Sequence, residues 1–431
     1  MKQKSEKKTK ISKKQKDTIF VQIASYRDPQ LVPTLEDMIS KAKHPENLRI
    51  CICWQHSDAD TWDNLDKYKQ DDRFKIVDVN YLDAKGVCWA RNKVQQEYSG
   101  EKYTLQLDSH HRFVQNWDEE LINMVKFLQK KGHKKPLITS YIPSFDPDND
   151  PAGRVQEPWK MNFDRFIPEG AVFFLPASFD SWDDKSQPLP GRFYSAHFAF
   201  SVGKFSEEVQ HDPEYYFHGE EISIAVRAYT HGYDIFHPNK VICWHEYTRK
   251  GRAKQWDDDK KWGEKNNYCH LKNRKLFEMD GEKRDIDFGK YGFGKVRTLK
   301  DYEKYSGLCF SKRAITQQVK DHKPPPDPNQ NASDEEFYSS LLHIFKHCID
   351  IGYDQVPEND YDFWAVAFKD SDGQDLYRKD ADADEIKRMK NDPDNYCKVW
   401  REFQTLVKPT SWIVWPHSIS KGWSDPITGN L

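Results

Sequence analysis

Asp108, Ser109 and His110 close an apolar run, Tyr103-Thr-Leu-Gln-Leu107. A carboxylate and an imidazole spaced i, i+2 at a strand end face the same side. Such a mixed oxygen and nitrogen set suits Mn²⁺ or a similar divalent cation better than Ca²⁺. A cation held there stabilises the negative charge that builds when a diphosphate group departs. A second apolar run, Val241-Ile-Cys-Trp-His245, ends on a histidine able to supply a third ligand. Gly219-Glu220-Glu221 opens a helical pattern. Backbone N–H groups point outward at a helix start, so the dipole there is expected to keep both carboxylates ionised. Arg27 and Arg91 offer planar guanidinium groups that grip diphosphate oxygens in bidentate fashion. Each feature alone has a plain structural explanation, such as a polar strand end, a satisfied histidine or a surface ion pair. Their order along one chain carries the argument.

The elements that must position these groups alternate. Thr18-Ile-Phe-Val-Gln-Ile-Ala24 is an apolar run of strand length, ended by the turn-forming Ser25-Tyr-Arg-Asp-Pro29. A helix follows, with Pro33 near its start and Leu35, Met38, Ile39 and Ala42 on one face. Leu48-Arg-Ile-Cys-Ile-Cys-Trp54 and Lys75-Ile-Val-Asp-Val79 read as strands, Gly86 to Tyr98 as a helix carrying Arg91, and Tyr103 to Leu107 as a fourth strand. This alternation predicts an open, mostly parallel α/β sheet. Ligands bind such sheets at the carboxyl ends of the strands. Both Ser25-Tyr26-Arg27 and Asp108-Ser-His110 lie at such ends, so the two clusters are expected on one edge.

Residues 136 to 192 are rich in Pro, Asp and aromatics and read as irregular. Order is expected to return at Phe198-Ala-Phe-Ser-Val202. A helix then runs from Glu220 to a Gly232 C-cap, and strands follow at Tyr233 to His237 and Val241 to His245. Lys323-Pro-Pro-Pro-Asp-Pro-Asn-Gln-Asn331 is the clearest linker. Ser333 to Glu336 is a capping-box pattern, expected to open a helix running through Leu341, Leu342 and Phe345. The expected division is a Lys-rich disordered tail over 1–17, a catalytic domain over 18–318, a linker over 319–332 and a small α+β accessory domain over 333–431.

Composition narrows the class. The hydrophobic fraction is only 37%, but the aromatic fraction of 14% can still build a core, because each ring buries a large area. A net charge of −3 carries no nucleic-acid signature. No apolar run approaches the roughly 20 residues of a membrane span. The basic start, MKQKSEKKTKISKKQKD, lacks the apolar stretch of a secretory signal, and its functional reading is a weak tether to an anionic surface or acidic partner. Eight scattered cysteines without a CxxC pair fit reduced thiols in the cytoplasm.

The order of the motifs resembles the retaining GT-A glycosyltransferases that include polypeptide N-acetylgalactosaminyltransferases. It is closer to the cytoplasmic hydroxyproline N-acetylglucosaminyltransferase family. The matching text is IASYRDPQLVPTLEDMISKA, GVCWARNKVQQEY, LQLDSHHRFVQNWDEELI, YSAHFAFSVGKF, HDPEYYFHGEEISIAVRAYTHGYDIFHP, WHEYTRKG and GFGKVRTLKDYEKYSG, spanning Thr18 to Phe310. The resemblance implies a GT-A catalytic domain. It also implies a UDP-sugar donor, UDP-GlcNAc above all, Mn²⁺ or another divalent cation, a hydroxyl acceptor on a protein or glycan, and retention at the anomeric carbon. Carried over residue by residue, Asp108, His110 and His245 are metal ligands. Ser25, Tyr26 and Arg27 line the nucleotide pocket, and Arg91 contacts the diphosphate region. His197 lies near the donor sugar, and Glu220 and Glu221 sit beside the reacting sugar or acceptor. The family often has a Gly-containing turn before the strand at Phe198, where this chain has Ser195-Ala-His197.

Two other readings use the same residues. A metal-dependent phosphate-ester hydrolase or nucleotidyltransferase would also employ DxH with His245, but it calls for more clustered carboxylates. A non-enzymatic carbohydrate-binding protein would explain the many Trp and Tyr.

Overall fold

The computed structural model describes residues 17–62, 64–249, 251–391 and 396–431. Apart from Asp17, the Lys-rich stretch expected to be disordered lies outside them. The chain divides into two compact units, one of residues 1–306 with 318–330 and the other of 307–317 with 331–431.

In the first unit the strands are β1 (Ile19–Tyr26), β2 (Leu48–His56), β3 (Phe74–Asn80), β4 (Tyr103–Asp108), β5 (His111–Phe113), β6 (Pro136–Thr139), β7 (Trp159–Phe166), β8 (Val172–Ser178), β9 (Leu189–Pro190), β10 (Phe198–Val202), β11 (Asp234–His237) and β12 (Cys243–His245). Eight of them form one open sheet in the order β3-β2-β1-β4-β10-β6-β11-β9. β1, β2, β3 and β4 run parallel. β10 is antiparallel to both β4 and β6.

Alternation along β1 explains the layers. Ile19, Val21 and Ile23 enter a core shared with the helices Leu31–Lys41 and Trp117–Lys130. Phe20 faces the other way, into a cluster with Cys51, Cys53, Ala90 and Val94, the last two from the helix Val87–Gln95. A strand buried on both faces must be apolar at nearly every position, which is why β1 reads as one apolar run.

The mixed sheet decides which residues meet. Pairing of β1 with β4 sets Ala24 beside Asp108, so the turns after both strands leave the same edge. Because β10 runs antiparallel, its first residue, Phe198, pairs with Leu107 and brings His197 to that edge too. A two-stranded ribbon of β5 and β12 places His245 opposite His111.

The stretch over 136–192 is not irregular. β6 joins the main sheet, and β7 and β8 form an antiparallel hairpin with a register shift between Phe163 and Arg165. The short strands and that irregularity break the alternation that sequence reading depends on.

In the second unit, Leu308–Cys309, Ala314–Thr316, Leu341–Gly352 and Tyr396–Thr405 form a four-stranded sheet. Tyr361–Lys369 and Ser411–Ser418 lead a six-stranded one. Ile349, Ile351, Trp364, Val366, Phe368, Val399 and Val414 fill its core. The capping box at Ser333 is present, with Glu336 N–H donating to Ser333 Oγ at 3.2 Å. The helix it opens stops at Ser339, and Leu341 to Gly352 is strand rather than helix. Ile349 and Ile351 enter the core at a spacing of two, and that tertiary burial outweighs the helical spacing of Leu341, Leu342 and Phe345. Of the eight cysteines, all but Cys348 are buried.

Gly203, just after β10, is packed against backbone. A methyl there would lie 1.9 Å from the Glu101 carbonyl oxygen. Gly203→Ala is therefore expected to lower stability by about 1–3 kcal/mol, the usual cost of overpacking a tight site. Urea unfolding of the variant beside the native chain measures it, and an unchanged midpoint contradicts the packing described.

Candidate active site

Asp28 anchors the edge where β1 and β4 end. It is 1% exposed. Its Oδ2 accepts from Ser109 Oγ at 2.6 Å, from His110 Nδ1 at 2.7 Å, and from Arg252. Burial alone would raise the carboxyl, but His110 and Arg252 hold it well below its ordinary value. The His110 Nδ1 faces Asp28 and Arg252, and its Nε2 lies 3.2 Å from Arg252 Nη2 and 3.8 Å from Asp108 Oδ2. This carboxylate–imidazole arrangement fixes tautomer and ring orientation for a metal ligand.

His245 Nε2 lies 3.6 Å from Asp108 Oδ2. One ligand atom from each of Asp108, His110 and His245 falls within 4.8 Å of the others, the only such group of three among the described residues. Both ring nitrogens of His245 are buried without a hydrogen-bond partner. That leaves the ring, beside a carboxylate, able to ligate a cation. Burial, reinforced by His110, holds His245 well below its ordinary value, so one ring nitrogen keeps a lone pair for a cation. Burial would raise Asp108, but Arg91 and His245 keep it well below the usual carboxylate range. An ionised carboxylate with imidazole nitrogens fits Mn²⁺ or another divalent transition ion.

Arg91 links this cluster to the helix Glu220–Thr230. Its Nη2 donates to Asp108 Oδ1 at 2.8 Å and its Nη1 to Glu220 Oε1 at 3.3 Å. That helix starts at Gly219, with φ of 90°, whose carbonyl accepts from Asn273 Nδ2 at 3.2 Å. Backbone at that φ strains any residue with a Cβ, and a Cβ here would also press on the Asn273 amide, so glycine is favoured where the helix begins. Glu221 accepts from Ala196 N–H at 2.9 Å and from Tyr141 Oη at 2.8 Å.

Two cavities share the Asp108 edge. One of about 120 Å³ is lined by Tyr26, Asp28, Gln55, Asp108, Arg249 and Trp256, among others. The other, of about 340 Å³, is lined by Tyr141, His197, Glu220, Glu221, His245 and Tyr247, and again by Asp108 and Arg249. Arg249 lies 5.2 Å from the Trp256 ring and 5.7 Å from that of Phe217, which steadies a cation at the border.

Most of the sequence-derived candidates converge here. Tyr26 lines the smaller cavity, and its hydroxyl donates to Asp258 Oδ2 at 2.7 Å. Ser25 and Arg27 border neither cavity. Alternation along β1 turns Ser25 inward, where it is fully buried. Arg27, in left-handed backbone at φ of 45°, holds Asp60 with two hydrogen bonds of 2.8 and 3.0 Å and reaches Asp258 at 3.3 Å. His197 lines the larger cavity and stacks on His245 with ring centroids 4.2 Å apart. Its Nε2 accepts from Ile142 N–H at 3.3 Å, and its Nδ1 lies 3.1 Å from Ser195 Oγ. Asp28, Arg249, Arg252, Tyr141 and Tyr247 were not singled out by sequence. Asp28 sits in the Ser25–Pro29 turn and Arg249 in WHEYTRKG, but neither announces its partner.

One electrostatic expectation is reversed. The helix-start dipole predicts ionised glutamates, yet burial raises both, and Glu220 is pushed up to about 8 with a further push from Glu221 against the pull of Arg91. Desolvation of a carboxylate outweighs the half-charge at a helix terminus.

The chain carries an open, mixed α/β sheet with its candidate site at one edge. It belongs to the family described as Glycosyltransferase (GlcNAc), whose model matches residues 18–72 and 63–312, more than half of the chain. No curated protein matches it in sequence. Among solved structures, that of GalNAc-T7 with UDP, GalNAc and Mn²⁺ has a TM-score of 0.44 and 14% identity, over 71% of this chain and 58% of that one. S. aureus TarS 1-349 has a TM-score of 0.35 and 13% identity, over 53% of this chain and 60% of that one. Its complex with UDP-GlcNAc gives 0.36 and 12%, over 59% and 67%. The chain thus spans less than two thirds of the first two. No helix among the described residues is long and apolar enough to cross a membrane.

The raised Glu220 carboxyl makes stability depend on pH. Between its ordinary 4.5 and about 8, the folded chain holds a proton that the unfolded chain releases. Its contribution is therefore complete below the unfolded value and is lost as pH rises through the folded one. Glu220→Gln, neutral throughout, should gain thermal stability relative to the native chain as pH climbs from about 5 to about 9. A difference in Tm that stays flat over this range contradicts the buried, protonated Glu220.

Proposed function

We propose that the protein transfers GlcNAc from UDP-GlcNAc to a hydroxyl acceptor with retention of configuration, using Mn²⁺ or another divalent cation held by Asp108, His110 and His245. The observation that carries this reading is the orphaned, neutral His245 beside ionised Asp108 at the border of two cavities. The family description supports GlcNAc as the sugar. When bound, the cation supplies charge neutralisation for the departing diphosphate.

The chain's own residues do the rest. The smaller cavity takes the uridine nucleotide, with Tyr26 and Trp256 on its walls. Arg249, bordering both cavities, sits where the diphosphate joins them and adds a fixed positive charge. The larger cavity takes the sugar and the acceptor hydroxyl. Glu221, committed to Ala196 N–H and Tyr141 Oη, positions that wall. An inverting reaction needs a carboxylate base for the acceptor proton. Glu220 is tied to Arg91 and Glu221 to Ala196 and Tyr141, so both carboxylates are already engaged, which favours attack from the face the diphosphate leaves. A protonated Glu220 can instead donate a hydrogen bond to a sugar oxygen.

Every candidate residue lies in the first unit, so that unit is the catalytic domain and the second serves acceptor use or assembly.

Mn²⁺ should raise UDP-GlcNAc affinity, and Asp108→Ala or His245→Ala should abolish most turnover without unfolding the chain. Asp28→Asn, which loosens His110, should cost about 10–100-fold in Mn²⁺ affinity. Calorimetric titration of Mn²⁺ in the presence of UDP, with hydrolysis of UDP-GlcNAc, UDP-GalNAc and UDP-Glc, gives both readouts. Full turnover of Asp108→Ala under chelator sinks the metal role. The anomeric proton coupling of the product decides the stereochemistry: a β-linked product from the α-linked donor rules out retention.

A further inference from the structure

The second unit carries an aromatic cluster that the catalytic reading does not use. Along Tyr361–Lys369 and Ser411–Ser418, Trp364, Val366, Phe368 and Val414 enter the core. The alternate residues Phe363, Ala365, Trp415 and His417 take the opposite face. Phe363 pairs with His417, Ala365 with Trp415, and His417 with Trp423 of the next strand. Trp415 and Trp423 are 40% and 47% exposed. Their centroids are 4.7 Å apart, and Trp423 lies 5.2 Å from Phe363 and 5.1 Å from His417.

The cluster is pinned by polar contacts. Trp415 Nε1–H donates to Ser424 O at 2.7 Å, so the indole is held with its ring rather than its N–H available. His417 Nδ1 lies 2.6 Å from Asp362 Oδ1, which leaves Nε2 for a ligand. Asp360 lies close by, its Oδ2 accepting from Ser420 N–H at 2.8 Å. Lys421 is paired with Glu358, and Arg378 with Asp380.

These facts exclude several occupants. Phosphate-bearing surfaces and nucleic acids need unpaired Lys or Arg among the rings. A quaternary ammonium needs a cage open at its centre. Here the rings touch one another at centroid separations of 4.7 to 5.2 Å, which leaves no such space. A stable protein partner needs roughly 800 Å² on each side, more than four rings that partly cover one another present. A pyranose meets every requirement. Its axial C–H groups match the negative face of an indole. Its hydroxyls donate to carboxylates such as Asp362 and accept from, or donate to, an imidazole. Ala365 beside Trp415 leaves a shallow floor for a flat ring.

We propose that the face built by Phe363, Trp415, His417 and Trp423 binds a neutral oligosaccharide, separately from the catalytic site. The full chain is titrated calorimetrically with chitotetraose, cellotetraose, maltotetraose and mannotetraose, with and without excess UDP. At least one of the four should bind saturably, and UDP should not displace it. Trp423→Ala and Trp415→Ala should each weaken that binding about tenfold or more, the scale of a buried aromatic anchor. Trp400→Ala should not, because Trp400, 56% exposed, lies on the other sheet of the same unit. All three variants should keep native melting temperatures, which separates loss of a site from loss of fold. The proposal is overturned if none of the four binds at concentrations up to about 10 mM, a few times the millimolar Kd of a very weak site. It is also overturned if binding survives both substitutions, if it falls equally in Trp400→Ala, or if UDP abolishes it. Melting and oligosaccharide binding do not depend on turnover, so a failure here is distinct from a failure of the proposed transfer reaction.

Discussion

Arg91 lies buried between Asp108 and Glu220, and the site is organised around that one cation. A guanidinium stays charged in any protein interior, so burying it demands carboxylates nearby. The two carboxylates fare differently. Asp108, with His245 also at hand, is held well below its ordinary value, while Glu220, more deeply desolvated and next to Glu221, is raised to about 8. One positive charge thus sets one acid ionised, fit for a metal, and leaves the other protonated, fit to donate a hydrogen bond. Two like groups with environments that push them apart are a common basis for divided roles in an active site.

Arg91 can occupy that place because of local backbone geometry. Its helix begins after Gly86, at φ of 126°, where a side chain would press on the Tyr216 backbone at 3.1 Å. The Val87 N–H donates to Tyr216 O at 3.2 Å, which ties the helix to the segment leading into Gly219-Glu220. The cation and its second carboxylate are therefore held by the same contact.

Histidines make up the other half of the site. His110, His111, His197 and His245 lie within contact of one another, with His111 and His245 ring centroids 5.0 Å apart. Burial holds His111, His197 and His245 well below the ordinary value, so each ring is neutral. Neutral rings can pack closely without repulsion, and His197, fixed by Ile142 and Ser195, serves as a wall behind His245. The second unit uses aromatic rings in another way, presenting them on an outer face instead of burying them around charge.

Periodicity alone made much of the first unit legible. β1, β2, β4 and the helices at Leu31 and Glu220 are strong, local patterns, and a strand buried on both faces leaves an unbroken apolar run. The candidate group of Asp108, His110 and His245 was legible too, since these residues lie at the ends of such runs. Hydrogen-bonding partners were not. Asp28 and Arg252 meet across most of the first unit, and nothing in either neighbourhood names the other. The protonation of Glu220 was likewise beyond sequence: its position at a helix start argues for an ionised group, and only the depth of burial reverses the sign. The strand at Leu341 and the hairpin of β7 and β8 were hidden for a related reason, because short or irregular segments take their state from the surfaces that cover them. Sequence by itself determined the sheet, its order of motifs and the residues able to ligate. The tertiary structure alone decided which groups are desolvated together, and so which are charged, because electrostatic energies depend on burial and distance in space rather than on spacing along the chain.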